Sequence, residues 1–287
     1  MKHKQNTRKT NIKILSAQVN AVIESTMDSE KFKSYIHTMA LFHKYSWQNQ
    51  MLIASQKPKA IRVAGYRAWQ KKFNRHVVKG AKAISIFGHP TIYENEIEGD
   101  DGMAEIQKHI HWPIVKVFDI SDTKGEDLPM LDLRKVEDNS EQANDLFELL
   151  KQKIMNSGVD LEEVPEIEGS KASGAFNTKK NEIRIVTRTD ISRGELFKTL
   201  AHEYGHALYE NLFSRKHEDH SYAFEECVVE TSAMIVACKF GLDIAPYDAS
   251  YVASWSKGDK EMYKNGLSKA SALAKNIIES MEVPIEC

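Results

Sequence analysis

The chain has 287 residues, enough for two modest domains, and its 41% apolar content rules out a disordered chain. Its net charge of −2 hides an asymmetry: Lys31–Pro90 holds 12 Lys/Arg and no Asp or Glu, whereas Thr91–Cys287 holds 22 Lys/Arg against 38 Asp/Glu. No run approaches the roughly 18 to 20 apolar residues of a membrane helix, the basic start Met1–Leu15 lacks a secretory pattern, and Cys227, Cys238 and Cys287 form no CxxC pair; a cytoplasmic protein with reduced thiols and no membrane partner is expected.

In chain order, residues 1–27 form a basic extension that becomes apolar-periodic between Ile12 and Ile23. Asp28 or Ser29 can cap a helix over about 30–54, with Phe32, Ile36, Met39, Ala40, Phe42 and Leu52 as its apolar stripe. A strand at Ala60–Ala64, a short helix at Tyr66–Phe73 carrying Trp69, and strands at Ala83–Phe87 and Pro113–Ile120 follow, with an acidic hairpin or loop at Glu94–Gly102. The charged, weakly periodic stretch 121–143 contains the boundary, a linker at 133–143. Beyond it are a helix over 143–156, a strand at Ile183–Val186, and helices over about 193–213, 221–240 and 257–281, with Gly241 ending the second. The expected fold class is α+β in two domains, 28–132 and 144–287.

Ser192 and Glu195 fit a capping box, and the helix they open contains His202-Glu203-Tyr204-Gly205-His206. Residues four apart share a helix face, so His202 and His206 can grip one Zn²⁺, with Glu203 beside them as the general base. A bare HExxH arises by chance. Here the capping box, the uncharged flanks from Thr199 to Leu208 and carboxylates downstream set it apart.

Catalytic zinc takes three protein ligands, and Glu226 and Glu230, four apart in an apolar helix, are the candidates for the third. Glu226 follows His206 by 20 residues, a spacing that resembles thermolysin-like zincins. There a second acid four residues on braces a ligand histidine, which makes Glu226 the ligand and Glu230 its support. The rival register, Glu230-Thr231-Ser232-Ala233, is similar to the E-x-x-A pattern of ImmA/IrrE-type proteases and makes Glu230 the ligand. The first register is preferred and both stay open. Glu225, about 100° round the helix, is expected in solvent or in a supporting role. His217, His220 and Tyr222 are candidates to stabilise an oxyanion, against the plainer reading of solvated residues. The strand Glu182–Thr187 stands where zincins keep an edge that binds extended peptide, which points to an unidentified protein or peptide substrate.

The acid-free segment interleaves cations with aromatics. Cations track a phosphate backbone and aromatic faces stack on unpaired bases, so the expected partner is single-stranded DNA. The candidate contacts are Tyr45, Trp47, Arg67, Lys71, Lys72, Arg75, Lys79 and Lys82; the plainer reading is a basic domain whose aromatics form its core.

With both halves read, the chain resembles the ArdC-like antirestriction proteins. The resemblance rests on Tyr45-Ser46-Trp47-Gln48-Asn49-Gln50-Met51-Leu52-Ile53, Val63-Ala64-Gly65-Tyr66-Arg67-Ala68-Trp69, Val78-Lys79-Gly80-Ala81-Lys82-Ala83-Ile84 and Val117-Phe118-Asp119-Ile120-Ser121-Asp122-Thr123-Lys124-Gly125. In the second half it rests on residues 202–206 and on Tyr222 to Glu230. It implies a single-strand DNA-binding domain ahead of a zincin-like metallopeptidase domain, in a mobile-element protein protecting incoming DNA. The chain departs from the family at Trp47-Gln48-Asn49, where Asn-Pro is usual, and at Ala81, where Glu is common. Its Tyr204–Leu208 segment is closer to the ImmA/IrrE peptidases. The competing functions are an ImmA-like protease cleaving a repressor and a non-enzymatic DNA binder with structural zinc.

Overall fold

The structure, a computed structural model, describes residues 2–26, 29–98, 104–128, 135–213, 221–244 and 259–282. Its architecture is α+β. Contacts divide the chain into two compact units, Met1–Val22 with Met51–Pro129 and Ile23–Gln50 with Met130–Cys287. Residues 23–50, read from the sequence largely as part of a 28–132 domain, thus group with the C-terminal half. No helix among the described residues is long and apolar enough to cross a membrane.

Helix α1 spans Lys2–Thr26. The helix expected over 30–54 is two, α2 (Ser29–Leu41) and α3 (Trp47–Gln56). The buried Gln50 amide bridges the break in the helix, donating to the carbonyls of Phe42 at 3.1 Å, which also accepts the Tyr45 N–H at 2.8 Å, and of Tyr45 at 3.0 Å. No Gly or Pro marks this break, so periodicity alone ran the two helices together.

In the first unit, β1 (Val63–Gly65) and β3 (Ile84–Phe87) flank β6 (Ile114–Asp119) in an antiparallel sheet. Helix α4 (Tyr66–Phe73) drops Trp69 into the core, fully buried, where its indole N–H donates to the Phe118 carbonyl at 2.8 Å. Asp119, also fully buried, accepts from the backbone N–H groups of Ile61, Arg62 and Ser121 at 2.9, 3.1 and 3.0 Å and from the Ser121 hydroxyl at 2.6 Å. Burial pushes its pKa up, but these hydrogen bonds outweigh burial and hold it below the ordinary value. Strands β2 (Arg75–Val77) and β7 (Thr123–Gly125) pair antiparallel. At Gly125 (φ +144°) an added Cβ would lie 2.4 Å from the Asn74 carbonyl oxygen, so only glycine fits. Strands β4 (Thr91–Glu98) and β5 (Ala104–His111) form the hairpin expected around Glu94–Gly102.

In the second unit, α5 (Glu141–Asn156) starts at the Ser140 N-cap and packs on α6 (Arg193–Phe213). Strand β10 (Glu182–Val186) pairs parallel with β8 (Asp160–Val164) and antiparallel with β9 (Gly174–Asn177). The edge next to α6 is therefore β9, not the strand Glu182–Thr187 expected to hold that place. Helix α7 (Tyr222–Lys239) is covered by α6, by α2 and by α8 (Lys260–Met281). Its end is a Schellman turn, Gly241 N–H to Cys238 and Leu242 N–H to Ala237, with Gly241 at φ +81° as expected. Tyr209, Phe224, Val228, Val229, Ala270 and Leu273 form one apolar cluster where α6, α7 and α8 meet.

Candidate metal centre and basic surface

The capping box forms as expected: the Ser192 hydroxyl accepts from the Glu195 N–H at 3.1 Å, and the Glu195 carboxylate accepts from the Ser192 N–H at 3.0 Å. Two turns on, His202 and His206 bring their rings to 5.0 Å between centroids, at 73°. Gly205, between them, lets α7 approach closely; a Cβ there would sit 2.7 Å from Cγ1 of Val229. That approach sets which α7 carboxylates reach the imidazoles.

Glu226 lies between the two rings, its oxygens 3.5 Å from His202 Nε2 and 3.3 Å from His206 Nε2. Ligand atoms of His202, His206 and Glu226 all fall within 4.8 Å of one another. Glu230 contacts the other nitrogen of His202, Nδ1, at 2.8 Å, and Glu225 contacts Nδ1 of His206 at 2.9 Å. Both outer nitrogens are thus engaged by carboxylates, and both Nε2 atoms converge with the Glu226 oxygens. Neutral imidazoles held with Nδ1–H outward and a carboxylate between them form a donor set that fits a tetrahedral divalent ion. Burial draws the His202 pKa down, but Glu226 and Glu230 raise it further, to about 10. His206 is likewise lowered by burial and raised, on balance, by Glu225 and Glu226. Hydrogen bonds from His202 and then His206 hold Glu226 far below the ordinary value. The surrounding carboxylates favour positive charge where the two Nε2 atoms converge on Glu226, as protons on the imidazoles or as one metal ion that displaces them.

Glu203 is buried against β9. Burial is the largest cause of its raised pKa, opposed by the two imidazoles and by a hydrogen bond from the Phe176 backbone. A Cβ on Gly174 would come within 2.8 Å of Glu203 Cγ, so the edge strand presses directly on this carboxylate. Tyr222 hydrogen-bonds Glu226, which with lesser help from burial pushes its pKa up to about 12. Histidines, Glu203, Glu225, Glu226, Tyr222 and β9 line one cavity of about 740 Å³. Of the two places expected for Glu225, solvent or a supporting role, the structure shows it buried against His206 Nδ1 rather than in solvent, as a buried carboxylate needs a partner. His217 and His220 lie outside the described residues.

Of the residues assigned to DNA, Arg67, Lys71, Lys72, Lys79 and Lys82 are exposed in the first unit. Arg75 is not available: it is buried, and its guanidinium donates to Thr123 Oγ1 at 2.8 Å, to the Thr123 and Gly125 carbonyls at 3.1 and 3.3 Å, and to the Glu126 carbonyl. It clamps β2 to β7, a correction that follows from a guanidinium's need for partners when buried. Tyr45 and Trp47 are half-buried and belong to the second unit; Tyr45 packs edge-on against Phe42, ring centroids 6.0 Å apart.

Residues 5–127 match the family model for the N-terminal domain of the anti-restriction factor ArdC, and residues 154–271 match that for a zincin-like metallopeptidase. The family models divide the chain differently from the compact units: residues 23–50 fall within the N-terminal match. The metal-free crystal structure of the antirestriction protein ArdC from plasmid R388 is similar, at 21% identity over 82% of this chain and 84% of that one, with a TM-score of 0.53. The Mn(II)-bound structure of that protein aligns over the same shares at 22% identity and a TM-score of 0.47. No curated protein matches the chain.

Proposed function

We propose that this chain, ArdC-like in carrying an ArdC-type N-terminal domain ahead of a zincin-like domain, binds single-stranded DNA with the first and hydrolyses a peptide bond with the second, in an antirestriction-type role. The observation that supports the hydrolytic reading best is the convergence of His202, His206 and Glu226 with Glu203 in one cavity. His202, His206 and Glu226 would hold a Zn²⁺ ion, which when bound polarises a carbonyl and makes water more acidic. Glu230 and Glu225 keep each imidazole oriented through Nδ1. Glu203 takes the proton of the attacking water and returns it to the leaving amine. Its burial supports the role, because a carboxylate with a raised pKa is a better proton carrier near neutrality. Tyr222 lines the same cavity, and its hydroxyl, which bonds Glu226, would donate instead to the oxygen that develops negative charge. An extended protein or peptide substrate pairs along the β9 edge.

The DNA-binding reading rests on the acid-free stretch Lys31–Pro90 and on the exposed cations Arg67, Lys71, Lys72, Lys79 and Lys82. One set of measurements on the full chain tests both halves. Glu203→Gln is expected to retain stoichiometric zinc and lose hydrolysis of unfolded protein, since an amide cannot accept the proton. Wild-type activity in that variant rejects the hydrolytic reading. Affinity for a single-stranded oligonucleotide is expected to fall with salt, with a slope of about −0.7 per phosphate neutralised, and Lys79→Ala with Lys82→Ala is expected to make the slope shallower. Binding indifferent to salt, or equal for duplex, rejects the DNA reading.

A further inference from the structure

A second cavity, of about 450 Å³, opens within the N-terminal unit between α1 and the sheet. It is in the range of small-ligand sites, roughly 300–1,000 Å³. Trp112, with Pro113 the two-residue link between β5 and β6, lines it while 46% exposed. Lys116, exposed on β6, also lines it; its ammonium donates to the Ser85 hydroxyl at 2.5 Å and has two further N–H donors. Ile14 and Leu15 of α1 supply apolar wall.

The polar side chains of the wall differ in how they are used. The Gln56 amide is consumed by the fold: it donates to the Leu52 and Ser85 carbonyls at 2.9 and 2.8 Å and accepts from the Ser85 N–H at 2.9 Å. Gln18, by contrast, has its amide oxygen buried with no hydrogen-bond partner among the described residues. A buried acceptor of that kind is costly unless a ligand or water satisfies it. Among the described residues no acidic one lines this cavity, whereas three glutamates line the metal-site cavity.

We propose that this cavity is a nucleobase pocket on the path of single-stranded DNA, an inference that rests on the DNA-binding reading above. A large exposed indole offers the face on which an unpaired base stacks. Lys116 neutralises the phosphate that follows the base. The Gln18 amide accepts from an N–H on the base edge, and every nucleobase has such a donor, so the pocket takes bases with little sequence preference. The charge of the lining selects for this ligand: an anionic strand is compatible with a cavity whose ionic group is Lys116, and is repelled by one lined with carboxylates.

The test uses the full chain and an oligothymidylate, at one salt concentration and then across a salt series. Trp112→Ala is expected to weaken binding roughly 5- to 150-fold with the salt slope nearly unchanged, the range for loss of one stacked base. Trp112→Phe is expected to keep most of the affinity while removing the tryptophan fluorescence change that binding causes in the wild type. Lys116→Ala is expected to reduce the slope by about 0.7. Circular dichroism and melting temperature of each variant show that the fold is kept, and Trp112→Phe separates loss of stacking from loss of fold. If the wild type binds the oligonucleotide in a salt-dependent way and all three variants match it in affinity, slope and quenching, the pocket is refuted while the DNA-binding reading stands. If the wild type does not bind, both fall.

Discussion

Replacing Glu226 and Glu230 separately distinguishes the two registers in which this helix can serve a metal. Glu226 presents one oxygen to each ring, 3.5 Å from His202 Nε2 and 3.3 Å from His206 Nε2. Glu230 reaches only the far nitrogen of His202, at 2.8 Å. A four-ligand zinc site is worth about 10–16 kcal/mol, or about 2.5–4 kcal/mol for each ligand. At about 1.4 kcal/mol per factor of ten, loss of one ligand weakens zinc by roughly 60- to 700-fold. Loss of a carboxylate that only orients a ligand costs about 10- to 100-fold. Glu226→Ala is therefore expected to lose roughly 60- to 700-fold in zinc affinity, and Glu230→Ala and Glu225→Ala each less than Glu226→Ala, within about 10- to 100-fold. The assay is titration of stripped protein with zinc against a competing chelator at one fixed pH, because bound imidazoles must give up their protons. Glu226→Gln runs alongside: it keeps the shape and removes the charge, so a loss close to that of Glu226→Ala assigns the effect to the carboxylate. A larger loss in Glu230→Ala than in Glu226→Ala would refute the geometry and make Glu230 the ligand.

Two further outcomes follow from packing and charge. Gly205→Ala puts a Cβ 2.7 Å from Val229 Cγ1, an overpacking expected to cost about 1–3 kcal/mol in a denaturant melt; Val229→Ala in the same chain should recover part of it, and an unchanged midpoint in Gly205→Ala would show that the helices part without cost. Asp119 is held below the ordinary carboxylate pKa, its hydrogen bonds outweighing burial. Its ionised form therefore adds stability that is fully present above the unfolded value of about 3.9 and is lost as pH falls through the lower folded value. Asp119→Asn should be less stable than wild type near neutral pH, with the difference shrinking as the solution is acidified through that window; a difference constant with pH would show that the charge contributes nothing.

The helix that carries the candidate metal site was legible in the sequence because its signals are local. The capping box, the four-residue spacing of His202 and His206, and the uncharged flanks depend only on helix periodicity, and the helix forms as read. The same holds for Gly241, whose left-handed turn is chosen by its missing Cβ. The α2–α3 break was not legible, because Gln50 satisfies it from eight residues beyond Phe42. Composition marked the acid-free segment, yet it could not separate Arg75, drawn inward by the carbonyls of Thr123, Gly125 and Glu126, from lysines left in solvent.

Which carboxylates of Tyr222–Glu230 face the histidines was decided by the tertiary structure. Helical spacing puts Glu226 and Glu230 on one side and Glu225 on another, but not which side meets a second helix. The contact of Gly205 with Val229 fixes the approach of α6 and α7, and at that approach Glu226 meets both Nε2 atoms while Glu225 and Glu230 meet one Nδ1 each. The order β8–β10–β9 likewise gives the edge beside Glu203 to β9, a strand without enough apolar alternation to be read in advance. Sequence alone determined which residues could bind a metal, since that depends on side-chain chemistry and spacing along one helix. Their partners depend on how two helices and an edge strand pack, and packing is set by contacts between residues far apart in the chain.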